Sequence, residues 1–106
     1  EDASQQRKYE RFNLLLHQNA DKPLAAYASA LHLSTNQLRR VVKGWTGKSI
    51  AQVIRAAKID QAKYLLRATT LQIQEIAYQV NFDDPSYFAR IFKQEAGVSP
   101  RTYRKK

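Results

Sequence analysis

The chain contains no cysteine, and its two histidines, His17 and His32, do not form a pair at metal-ligand spacing. Disulfides, thiolate metal sites and thiol chemistry are thereby excluded, and no zinc-type ligand set is left. No stretch approaches the roughly 20 consecutive apolar residues that a membrane span needs. The first apolar cluster, Tyr9 to Leu16, is not followed by a leader-cleavage pattern. No run alternates apolar and polar residues long enough to build a sheet. A nucleophile with a positioned base is also missing. Asp83 and Asp84 are adjacent acids, but Pro85 directly after them makes them a turn and an N-cap. The expectation is a cytoplasmic protein with no enzyme activity, no cofactor and no metal.

Acidic side chains are scarce where basic ones are dense. The 106 residues carry a net charge of +9, which points to a polyanionic partner. Residues 1–21 hold three basic and four acidic side chains, 22–67 nine and one, and 68–106 six and four, giving nets of −1, +8 and +2. A length of 106 residues with 43% hydrophobic content suits one small domain or two very small ones sharing a core. The chain begins with Glu1 rather than Met, as a processed piece or an excised domain would.

Most of the chain has helical spacing, which predicts an all-α fold of about seven helices. Tyr9, Phe12, Leu15 and Leu16 place a first helix over 7–19, ending before Asp21-Lys22-Pro23, with 1–6 as a linker or chain end. Leu24, Tyr27, Ala28 and Leu31 place a short second helix. Ser34 with Gln37 forms a capping box that opens a third, whose inner face is Leu38, Val41, Val42 and Trp45. The stretch "KGWTGKSI" ends in Gly-Lys-Ser, as phosphate-cradling loops do, but the earlier glycine such a loop needs is Val42. Gly47 instead stops a helix and Ser49, with Gln52, starts the next.

The fourth helix, 49–68, offers Ile50, Val53, Ile54 and Ala57 to one partner and Ile59, Ala62, Leu65 and Leu66 to another. A fifth is predicted over 73–80 and a sixth from Asp84 to about Glu95, stopped by Gly97. Ser99 then caps a last short helix.

The sequence repeats. Ala28, Leu31 and Leu33 return 49 residues later as Ala77, Val80 and Phe82. One residue enters the turn, and Ser34, Leu38, Arg40, Val42, Lys43, Gly47, Ser49 and Val53 return at an offset of 50 as Asp84, Phe88, Arg90, Phe92, Lys93, Gly97, Ser99 and Tyr103. Each copy is a short helix, a tight turn and a longer helix, the helix-turn-helix layout. The first spans about 24–46 and the second about 73–96, with the long helix as linker.

In the longer helix of the first copy, Asn36, Arg39, Arg40 and Lys43 are left outward; in the second, Ser86, Ala89, Arg90 and Lys93, with Phe88, Ile91 and Phe92 inward. Asn pairs with adenine, Arg forks onto guanine, and Ala meets a thymine methyl. Asn36, Arg39, Arg40, Ser86, Ala89 and Arg90 are therefore the candidate base readers of double-stranded DNA. Thr35, Lys43, Lys48, Tyr87 and Lys93 are the candidate phosphate contacts, with the backbone N–H groups at the helix starts. His32, in the first turn, is either a DNA contact or a backbone cap. A linker helix of about 20 residues spans roughly 30 Å, and successive major-groove segments on one DNA face lie about 34 Å apart. One chain thus reaches two adjacent segments, and a rigid linker bends the DNA.

The stretch "IAYQVNFDDPSYFARIFKQEAGVSPRTYR", Ile76 to Arg104, resembles the signature of the AraC/XylS-type transcriptional regulators, and "AKYLL", Ala62 to Leu66, resembles the end of that family's linker helix. The likeness covers about residues 8–106. It implies a DNA-binding domain over 7–106 with two helix-turn-helix subdomains reading adjacent major-groove segments. A bacterial regulator is also implied, an activator contacting RNA polymerase, in the nucleoid, as the output part of a longer protein whose sensor or dimerisation domain is not in this chain. Carried over by position, the family's recognition contacts fall on the same six residues. Three departures stand out: Asn81 replaces the usual glycine of the second turn, Lys58 replaces the usual linker arginine, and "RRVVKGWTGKS" replaces the more usual aromatic-lysine pattern. The competing readings are a helical module binding an acidic protein, and DNA binding without sequence preference.

Overall fold

A computed structural model describes residues 2–18, 20 and 22–106. Among them are seven helices and no strand: α1 (Asp2–Gln18), α2 (Leu24–Ala30), α3 (Thr35–Thr46), α4 (Ile50–Ala68), α5 (Ile73–Gln79), α6 (Pro85–Ala96) and α7 (Pro100–Lys105). The all-α expectation holds. Asn19 and Asp21, placed by periodicity at the end of the first helix and in the following turn, lie outside the described residues.

One boundary differs. The apolar pattern starts the first helix at 7, whereas α1 is already helical at Asp2, so the linker expected over 1–6 is helix over its described part. Residues 3–6 are exposed, an alanine followed by three polar residues, and a helix turn that buries nothing leaves no periodic signal.

The chain divides into two compact units, Glu1–Arg55 and Ala56–Lys106, with the boundary inside α4. In the first unit α1 packs on α2 and α3. Phe12, Leu16, Tyr27, Leu38 and Val42 are almost fully excluded from solvent. Phe12 meets Tyr27 edge-on, with ring centroids 5.5 Å apart, a favoured aromatic geometry. In the second unit Ile59, Ala62 and Leu66 of α4 join Ile76, Ala77, Phe88, Ile91 and Phe92 in one core, with Leu65 packed against it. This is the face of α4 that the sequence assigns to its later partner.

Polar ties fix the second unit's ends. Arg104 donates from Nε to the Leu66 carbonyl at 3.1 Å and from Nη2 to the Thr69 carbonyl at 3.3 Å. These bonds fasten α7 to the C-terminal end of α4, where carbonyls lack helical partners. Lys58, which stands where the resemblance implies an arginine, holds its ammonium 3.5 Å from the Asn81 carbonyl and 5.5 Å from the Phe82 ring centroid. It thus tethers α4 to the α5–α6 turn through one cationic point rather than a fork.

Candidate nucleic-acid interface

Each unit sets its longer helix by the same turn. Leu33 N–H donates to the Ala28 carbonyl at 2.9 Å, and Phe82 N–H to Ala77 at 2.9 Å. His32 N–H donates to Ser29 at 3.1 Å, and Asn81 N–H to Tyr78 at 3.0 Å. Both pairs form the six-to-one and five-to-two bonds of a Schellman ending. That motif requires a left-handed residue, and His32 (φ 58°) and Asn81 (φ 66°) supply it. His32 is therefore a conformational residue of the turn, and among the described residues its exposed ring makes no hydrogen bond. The sequence carried the signal: the offset of 49 that aligns Leu31 with Val80 also aligns His32 with Asn81.

The start and stop of each longer helix are fixed as the sequence predicts. Ser34 Oγ accepts the Gln37 N–H at 3.1 Å, while Gln37 Oε1 accepts the Ser34 N–H at 2.8 Å. Ser49 and Gln52 repeat that box at the start of α4, at 3.2 and 3.0 Å. On α6 the Asp84 carboxylate accepts the Ser86 N–H at 2.9 Å, with Pro85 at the first helical position. Gly47 (φ 76°) and Gly97 (φ 84°) end α3 and α6 in the left-handed region. Each donates its N–H to the lysine four residues earlier, at 2.9 and 2.8 Å.

Between these stops the inner faces are buried: Leu38, Val41 and Val42 on α3, and Phe88, Ile91 and Phe92 on α6. Trp45 corrects the expectation. It was placed on the inner face, yet it is 46% exposed, lying beside Tyr9 of α1 with centroids 6.4 Å apart. Its counterpart 50 residues on is Glu95, an exposed residue on α6. This position is therefore the rim of the motif rather than its core.

Asn36, Arg39, Arg40 and Lys43 are all exposed on α3, and Ser86, Arg90 and Lys93 on α6. Ala89 is half-buried, as is Thr35 at the start of α3, while Lys48 and Tyr87 are exposed. By their spacing Asn36, Arg39, Arg40 and Lys43 share one face of α3, and Ser86, Ala89, Arg90 and Lys93 one face of α6, whereas Lys48 lies beyond the end of α3. Lys43 also bonds the Gly47 carbonyl at 3.3 Å, so its ammonium rests at the negative end of its own helix. The first face carries three positive charges on α3 (Arg39, Arg40, Lys43). On α6, Glu95 offsets one of two (Arg90, Lys93). Arg40 shares an open recess with Gly44, Trp45 and Gln5. The early turn of α1, invisible to periodicity, therefore borders the outward face of α3.

The family model for the helix-turn-helix domain matches residues 27–106. The chain belongs to the AraC-type helix-turn-helix family, the DNA-binding domains of transcription regulators. The transcriptional activator RhaR of Cronobacter sakazakii is 40% identical over 81 residues, covering 76% of this chain and 29% of that protein. The chain thus spans about 29% of the length of the curated relatives it matches. Among solved structures, the C-terminal domain of AraT, a response regulator from Geobacillus stearothermophilus, is 32% identical with a TM-score of 0.75. That match covers 95% of this chain and 83% of AraT's. A Chromobacterium violaceum regulator described as AraC-type superposes with a TM-score of 0.89 over 97% of this AraC-type chain and 94% of its own, and at 22% identity it shows the shared fold. No helix among the described residues is long and apolar enough to cross a membrane.

Proposed function

We propose that this AraC-type domain reads double-stranded DNA through two recognition helices, α3 and α6, each in its own major-groove segment. The supporting observation is that two identical sets of turn bonds and glycine stops present outward faces at matching positions, Asn36-Arg39-Arg40 and Ser86-Ala89-Arg90. Amide, guanidinium, hydroxyl and methyl groups on those faces suit base edges. Lys43, Lys48 and Lys93, with Thr35, Tyr87 and the N–H groups at the helix starts, hold phosphates. The 19-residue α4 joins the two motifs, and in this reading a rigid linker bends the bound DNA.

The domain has no catalytic role in this reading. It is the output part of a longer regulator, as the length of RhaR supports, and works as an activator in contact with RNA polymerase at the nucleoid. Selection from a randomised duplex pool at near-physiological salt tests the DNA reading. Two enriched blocks about 10 base pairs apart are expected. Binding without enrichment would reduce the chain to a phosphate-driven binder, and no binding would move it to an acidic protein partner.

A further inference from the structure

Arg40 and Arg90 hold matching places on α3 and α6, but their surroundings differ. The Arg90 guanidinium carbon lies 5.4 Å from the centroid of the Tyr87 ring. Tyr87 rests in turn on Phe82, with centroids 6.0 Å apart. Phe82 is buried and meets Phe88 edge-on at 5.3 Å. The ring under Arg90 is thus anchored to the core through two further rings.

In the first unit the counterpart of Tyr87 is Gln37, and that of Phe82 is Leu33. The Gln37 side-chain oxygen is committed to the Ser34 N–H at 2.8 Å. Among the described residues Arg40 shares its recess with Trp45 but has no cation–ring contact, hydrogen bond or ion pair to orient it, whereas Arg90 has the ring.

We propose that Tyr87 is a positioning residue for base reading: its ring holds the Arg90 guanidinium in place before docking, so that the second unit reads its base with a pre-aligned guanidinium and the first unit, among the described residues, with one that no ring holds. This rests on the reading of Arg90 as a base contact. Stacking on a ring leaves the N–H edge of the guanidinium open to fork onto guanine O6 and N7. An arginine already held loses less freedom when it docks. It is also less able to swing to another acceptor when the base is wrong, so the gain falls on discrimination. An exposed cation–ring contact corresponds to about a two- to fivefold effect. The hydroxyl of Tyr87 remains available to a phosphate, a separate contribution that the ring-only variant removes.

The experiment measures binding of the whole chain to its selected duplex and to every single-base-pair variant of it. The Arg90→Ala profile marks the pair that Arg90 reads. Tyr87→Leu is expected to reduce discrimination at that pair by about two- to fivefold and to leave discrimination at the other pairs unchanged, with no further loss of discrimination when combined with Arg90→Ala; loss of the hydroxyl lowers affinity for all duplexes alike. Tyr87→Phe and Tyr87→Trp, which keep a ring, are expected to retain discrimination and show at most a uniform loss of affinity. A Tyr87→Leu variant that loses affinity uniformly with no loss of discrimination at the Arg90 pair, or equal losses of discrimination with Leu, Phe and Trp, would overturn the proposal. An Arg90→Ala profile that weakens all sequences alike would overturn it at its base, by removing Arg90 from base reading. If Tyr87→Leu does not fold, the Phe and Trp variants decide, because both must keep discrimination at the Arg90 pair.

Discussion

The two units reach the same backbone with different side chains. In the first, α3 buries only aliphatic groups, Leu38, Val41 and Val42, and the rings come from neighbours, Phe12 of α1 and Tyr27 of α2. In the second, α6 carries its own rings, Phe88 and Phe92, tilted against each other at 5.8 Å, and Phe92 meets Tyr103 of α7 edge-on at 5.5 Å. The turns nevertheless close with matching bonds at 2.9 Å, and the stops are both left-handed glycines. Caps and turn geometry fix where the outward face points, and the core has only to fill the volume behind it. Charge follows the same lesson. The segment 22–67 looks dominant at +8, yet the unit boundary cuts through it. Glu1–Arg55 holds nine basic and four acidic side chains and Ala56–Lys106 nine and five, nets of +5 and +4. The asymmetry that remains is local, three charges on α3 against a net of one on α6.

The sharpest way to break the comparison is through the borrowed rings. If Phe12 is as integral to the first unit as Phe88 is to the second, each change to Ala costs about 3–5 kcal/mol in denaturant unfolding. A cost for Phe12→Ala below about 1.5 kcal/mol would make α1 an appendage.

Next come the reading faces. Losing Arg39 or Arg40 costs about 1–3 kcal/mol of binding and relaxes preference at one base pair. The double change to Ala is expected to exceed Arg90→Ala in titrations of the selected duplex. The reverse order would place the greater share of affinity on α6.

The turns predict a smaller effect of opposite sign. A left-handed L-residue carries about 1–2 kcal/mol of strain, of which glycine's extra chain entropy gives back about 0.5–1. His32→Gly and Asn81→Gly should therefore each raise unfolding stability by about 0.5–1 kcal/mol. A loss would mean that the side chains themselves hold the turns. The mildest expectation concerns Lys43 and Lys93. Each change to Ala lowers the slope of log affinity against log salt by about 0.9 without altering base preference. An altered preference would promote that lysine to a base contact.

Most of this architecture was legible because it is written in residues with a single local meaning. Ser34 with Gln37, Asp84 before Pro85, and Gly47 and Gly97 each specify a cap or a stop, and the structure uses all of them so. The repeat made the outward faces legible as a matched pair. What escaped was whatever lacks a periodic or capping signature. The early turn of α1 buries nothing, so no pattern marks Asp2 as helical. Trp45 satisfies the inner-face spacing but lies on the rim, where spacing alone does not tell a core ring from a half-covered one. Tyr87 is legible in the sequence as a candidate phosphate contact, but the ring contacts that join it to Phe82 and Arg90 need coordinates.

The central claim is that two equivalent scaffolds read two different stretches of one DNA site. It is tested most directly by measuring base preference along the selected site for Arg40→Ala and Arg90→Ala side by side. The account predicts that each change relaxes one base pair, and that the two pairs lie about one helical turn, roughly 10 base pairs, apart. Relaxation of the same pair by both, or a uniform loss by both, would contradict it.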